Sequence, residues 1–123
     1  MFDLEATRHE SSLIIRLSGD ILMPDVMSFM KSMEGHCAVA DISQIVLDLS
    51  GVARMDAPCL GVIVSLSTKM QSRGRRIVLL SPSAGIVHLL REEEIEGFFP
   101  TCQSEEELRG YIPEAAVARR GAR

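Results

Sequence analysis

The chain lacks tryptophan and has only one tyrosine and four phenylalanines in 123 residues, so its core must be built from aliphatic side chains. Cysteine is scarce. Cys37, Cys59 and Cys102 form an odd set without C-x-x-C spacing, which reads as reduced thiols and excludes a disulfide framework or a zinc site. No apolar run approaches the ~20 residues that a membrane-spanning helix needs. The first ten residues, MFDLEATRHE, contain no apolar signal-peptide core, which predicts a cytoplasmic protein. Basic excess is also missing. The formal net charge is −4, against the basic footprint of a nucleic-acid module. There is no Walker loop, no G-x-G-x-x-G and no HExxH, so no cofactor or metal is expected. His9, His36 and His88 are isolated, and no catalytic set is legible.

What is present fits one globular domain. Apolar residues make up 46% of the chain and charged residues 24%, with seven methionines. The length suits a single core without staples. Residues 118–123, ARRGAR, read as a frayed tail after a domain spanning 1–117.

The pattern predicts alternating elements. Phe2 to His9 alternates weakly as a first strand, Glu10-Ser11-Ser12 supplies a turn, and Leu13 to Leu17 is a second strand. Pro24 suits the first turn of a helix carrying Val26, Phe29, Met30 and Met33, with Gly35 as its stop. Ile45 to Leu49 reads as an interior strand. Asp56 to Arg73 reads as the longest helix, ended by Gly74. Arg75 to Leu80 is a further buried strand. A short helix then starts at a Ser81 or Ser83 cap and packs through Ile86, Val87, Leu89 and Leu90. Phe98-Phe99-Pro100 is expected to be a short last strand. Ser104 to Glu107 resembles a capping box opening a helix that reaches about Ala116. Strands alternating with helices after residue 44 imply parallel pairing, and the hairpin-like start adds an antiparallel pair.

The most informative stretch is Ile45 to Val64, IVLDLSGVARMDAPCLGVIV: a buried strand, a tight polar turn and a helix start, with the motif LDLSGVxxMDxxxLGV inside it. This motif resembles the signature of STAS domains, the fold shared by sulfate transporters and anti-sigma-factor antagonists. The resemblance covers roughly Phe2 to Tyr111 and is strongest at Val46 to Val62. It implies an α/β fold, a single STAS-like domain with a mixed four- to five-stranded sheet and helices packed on one side. In the bacterial antagonists the residues after the Asp are usually Ser-Ser-Gly or Thr-Ser-Gly, and the second hydroxyl residue is phosphorylated by a partner kinase. Here those positions hold Ala57, Pro58 and Cys59, and residues 51 to 64 contain no Ser or Thr. Proline offers no oxygen to phosphorylate.

The resemblance places a partner-binding switch at Met55, Asp56, Ala57, Pro58, Cys59, Leu60 and Val64. The plain structural reading of Asp56 is a helix cap whose carboxylate accepts an N–H of the first turn, worth about 1 kcal/mol. Pro58 by itself is an ordinary helix starter. Cys59, in a first helical turn, is either a small buried or half-buried side chain in place of glycine, or a thiol whose depressed pKa makes it a reactive thiolate. Leu60, Val62, Ile63, Val64 and Leu66 make the helix apolar around most of its girth. A partner over Met55, Leu60 and Val64 would account for the excess, as would burial under neighbouring elements.

The functional expectation is a non-enzymatic module that binds a kinase-like anti-sigma factor and is not phosphorylated at the usual site. A scaffold or adaptor binding other STAS proteins, an accessory subunit of a lipid transporter, and a redox or small-ligand sensor through Cys59 are the alternatives. A homodimer is compatible with each. Neither nucleic acid nor membrane insertion is expected.

Overall fold

The computed structural model describes residues 1–109. The expected end of the last helix near Ala116 and the tail at 118–123 lie outside them.

Strands β1 (Phe2–His9) and β2 (Ser12–Gly19) form the antiparallel hairpin. A 3-10 turn (Met23–Asp25) leads into α1 (Val26–Cys37). Then follow β3 (Gln44–Gly51), α2 (Ala57–Gln71), β4 (Arg76–Leu80), α3 (Ala84–Glu92), β5 (Thr101–Cys102) and α4 (Glu105–Leu108). The spatial order of the sheet is β1-β2-β3-β4-β5, and every pair after the first is parallel. Successive crossovers advance in one direction across the sheet. Since such connections share one hand, α1, α2 and α3 fall on the same face.

Alternation along the strands decides which side chains meet those helices. Leu13, Ile45 and Ile77 align across β2, β3 and β4, as do Ile15, Leu47 and Leu79. These rows join Phe29, Met33, Ile63, Leu66, Ile86 and Leu90 of the helices in one aliphatic core. The intervening residues Val46, Val78 and Leu80 point the other way. They form a smaller cluster with Cys102 and with Leu108 of α4.

The sequence expectations shift at two places. Gly35 does not stop α1, which runs on to Cys37, because Cys37 is itself a buried anchor one turn beyond Met33. No left-handed conformation forms at Gly35, and Ala38 N–H still donates to Glu34 O. The last strand is not Phe98-Phe99-Pro100 but Thr101–Cys102. Phe99 is drawn into the core and stacks edge-on against Phe98, and Pro100 has no N–H to give a ladder. Pro100 O instead accepts from Leu79 N–H, and pairing begins after it.

Candidate functional site

The switch segment lies where β3 ends and α2 begins, at the carboxyl end of the parallel strands, where open α/β sheets place their sites. Two neighbours hold it. On one side Val52 is fully buried and its carbonyl accepts the Ser83 hydroxyl at 2.6 Å. The same hydroxyl accepts Ile86 N–H, so Ser83 caps α3 and ties it to the segment. Gly85 of α3 lies so close to Ala53 that an added Cβ would stand 2.2 Å from the Ala53 carbonyl oxygen. On the other side Ile21 and Met55 form a parallel bridge, with Ile21 N–H donating to Arg54 O and Asp56 N–H to Ile21 O, each at 3.0 Å.

Asp56 occupies the N-cap position of α2, but its carboxylate does not cap that helix. It accepts Met23 N–H at 2.6 Å instead. The cap reading is corrected for a geometric reason. Cys59 N–H and Leu60 N–H both reach Asp56 O, and Pro58 has no N–H, so the first turn asks little of the side chain. The adjacent Leu22 N–H is taken by the Asp25 carboxylate at 3.1 Å. That bond holds the Asp25 carboxyl below its ordinary pKa. The Asp56 carboxylate thereby ties the start of α2 to the turn before α1, while the Asp25 carboxylate closes that turn on itself. A helix start with Cys59 and Leu60 N–H already bonded, no N–H at Pro58 and two carboxylates nearby is poorly suited to an anion.

The seven site residues separate into two groups. Met55, Cys59 and Leu60 are buried, at 8%, 0% and 3% exposure, and belong to the main core. The apolar excess at Met55 and Leu60 is thus absorbed by neighbouring elements. Ala57 and Pro58 are exposed, Asp56 and Val64 partly so. The outward face of α2 continues through Gly61, Ser65 and Thr68, all exposed.

Cys59 does not have the expected thiolate character. Its Sγ faces Leu22 O at 3.5 Å. Burial, then the charges of Asp56 and Asp25, push its pKa up from the ordinary thiol value. The helix start cannot depress it because the thiol is out of water and beside carboxylates. Cys37 and Cys102 are also buried and free; burial, with Glu34 beside it, raises Cys37 to about 11. In the folded protein all three thiols are expected to resist a water-soluble disulfide reagent at pH 8, and all three to react in denaturant. Rapid modification of Cys59 in the folded state would overturn this placement.

Two exposed methionines escaped the sequence reading. Met23 and Met27 are 54% and 58% exposed, one helical turn apart, and Met23 is the residue whose N–H Asp56 holds. A signal existed: Val26, Phe29, Met30 and Met33 fill the inner stripe of α1, which leaves Met23 and Met27 off it. Among the described residues no cluster of three or more His, Cys, Asp or Glu could hold a metal, and no helix is long and apolar enough to cross a membrane.

The family model for the STAS domain matches residues 3–108. A putative anti-sigma factor antagonist from Thermotoga maritima superposes with a TM-score of 0.80 at 19% identity, covering 89% of this chain and 93% of that one. The anti-sigma factor antagonist SpoIIAA in its unphosphorylated form superposes with a TM-score of 0.71 at 19% identity, covering 89% and 97%. SpoIIAA of Bacillus in its phosphorylated form gives 0.65 at 18% identity, covering 90% and 99%. At such identities the likeness establishes a common fold. No curated protein sequence matches the chain.

Proposed function

Because the chain belongs to the STAS domain family, we propose that it is a non-catalytic, bacterial protein-binding module that acts as an anti-sigma factor antagonist in a partner-switching pathway of the cytoplasm. Its partner is a kinase-like anti-sigma factor, which it occupies so that a sigma factor is released for transcription. Pro58 takes the place of the phosphorylated hydroxyl, so the protein stays competent to bind and is controlled by its amount or by another signal.

The observation that carries this reading is the exposed start of α2. Ala57 and Pro58 face solvent at the carboxyl end of the sheet, near exposed Met23, whose N–H Asp56 holds, with no hydroxyl side chain from 51 to 64. Small and apolar groups without charge suit a protein contact better than a polar ligand. A phosphate adds about −1.5 to −2 charges and would disrupt such a contact, and here it has no attachment point. Met55 and Cys59 support the surface from below, and Leu60, almost fully buried, reaches it only at its edge. That assignment leaves Asp56, Ala57, Pro58 and Val64 as the contact residues of the original set.

The test is affinity capture from the native cell, with and without ATP, read by mass spectrometry. A kinase-like anti-sigma factor recovered in both conditions, with no phosphate between residues 45 and 66, is the expected result. Stoichiometric phosphate in that interval would overturn the non-phosphorylated reading. Recovery of other STAS proteins or a transporter ATPase alone would overturn the antagonist reading.

A further inference from the structure

Beside the exposed face of α2 runs an apolar groove with a volume of about 290 Å³. Leu60, Val64 and Ile95 form its apolar lining, and Gly61 and Ser65 of α2 face Glu93 across it. Ala57, Gly61 and Ser65 recur every fourth residue, on the same side of the helix. A Cβ added at Gly61 would meet nothing within 4 Å, so the space above it is open.

The charge around this groove is one-sided. Helix α3 ends at Glu92. Ile95 N–H then reaches back to Leu90 O at 3.0 Å and Glu94 N–H to Arg91 O at 3.1 Å, with Glu94 in the left-handed region at φ 58°. This is the Schellman arrangement, and the left-handed position in it usually falls to glycine. The turn brings Ile95 into the groove and leaves Glu93 and Glu94 exposed. Glu92 pairs with His88 and Glu96 with Arg91. Among the described residues Glu93 and Glu94 form no ion pair. Across the groove, no residue from 57 to 68 is charged. An apolar trough with the Glu93 carboxylate on one edge, and exposed Glu94 next to it in the chain, is complementary to an apolar ridge with cations along one flank.

We propose that this groove seats an amphipathic helix of a partner protein, with its apolar ridge over Gly61 and Val64 and lysine or arginine opposite Glu93 and Glu94. The helix deepens the antagonist reading by naming the chemistry of the contacting element. The groove's preference can be measured without knowing the partner. Small residues on α2 let the two helix backbones approach, and the carboxylates select the orientation in which the basic flank faces α3.

The probes are three labelled synthetic peptides read by fluorescence anisotropy against the full chain. The first has a leucine ridge flanked by lysines; the second has the same ridge flanked by glutamates. The third is a scramble of the first that has no ridge. The lysine-flanked peptide is expected to bind at least about tenfold more tightly than either of the others, and more weakly in high salt. Gly61→Gln, whose side chain enters open space, and the double change Glu93→Lys with Glu94→Lys are each expected to weaken it about tenfold. Neither should lower the thermal midpoint, since glutamine is a better helix former than glycine and both glutamates are exposed. No binding of the lysine-flanked peptide, equal binding of its scramble, or unchanged binding to the Gly61→Gln protein overturns the proposal. Any of these alongside capture of a kinase-like anti-sigma factor removes the groove and leaves the antagonist. Groove binding without such capture removes the antagonist and leaves the groove.

Discussion

Gly85→Ala is expected to lower the thermal midpoint by about 8 °C, through the closest approach that an added Cβ meets at any glycine among the described residues. The added carbon would stand 2.2 Å from the Ala53 carbonyl oxygen, well inside any van der Waals contact. The obstacle is backbone, so no side-chain rotation relieves it. Either α3 retreats or the segment after β3 does. Retreat of α3 strains the bond from the Ser83 hydroxyl to Val52 O and the burial of Ile86 and Leu90. Retreat of the segment strains the bridge between Ile21 and Met55. Overpacking of this kind costs about 1–3 kcal/mol, and a value near 2 corresponds to about 8 °C for a domain of this size. The exposed Gly61→Ala is the control. With nothing within 4 Å of the new carbon, it should raise stability by about 0.5–1 kcal/mol through helix propensity alone. Thermal unfolding followed by circular dichroism separates the two. Equal midpoints would mean that the close approach of α3 to Ala53 does not exist in solution.

That close approach also shows where the sequence stops being readable. Strand patterns were legible because burial imposes them locally: Ile45-Val46-Leu47 is apolar on both faces, since both faces of β3 are covered. The start of α2 was legible from Pro58, which acts within its own turn, and left-handed Gly74 marked its end to within a few residues, the helix closing at Gln71. The Ser83 cap was legible for the same reason. The Asp56 carboxylate was misplaced because its partner, Met23 N–H, is 33 residues away. Exposure or burial of Met55 and Leu60 stayed open, because an apolar helix reveals its excess but not which neighbours absorb it. Gly85 gave no signal, since it adopts no left-handed conformation and marks no turn. The thiolate alternative at Cys59 rested on a general rule about helix starts. The rule holds only where water and cations reach the thiol, and here burial and two carboxylates decide. Local determinants were recovered, and contacts across the sheet were not.

The functional counterpart is Pro58→Ser, expected to convert a permanently competent binder into a switchable one. Pro58 is exposed in the first turn of α2, so its ring supports no core contact that serine would forfeit. Serine is also acceptable early in a helix, and the fold should persist. The hydroxyl would stand at the position that the family resemblance gives to the phosphoacceptor, in reach of a kinase-like partner already docked on this surface. Wild-type protein is expected to take up no phosphate from that partner with ATP, and the variant to take up one per chain. Phosphorylation would then weaken partner binding by about 100-fold, or about 2.7 kcal/mol. The penalty arises at the contact: a phosphate needs water or cations, and the surface around it offers Ala57, Gly61 and the like-charged Asp56 carboxylate that holds Met23 N–H. Intact-mass spectrometry measures the phosphate and a binding titration measures the loss. Phosphate accepted by the wild-type chain between residues 45 and 66, or a phosphorylated variant that binds as tightly as before, would show that Pro58 is not what keeps this surface permanently open.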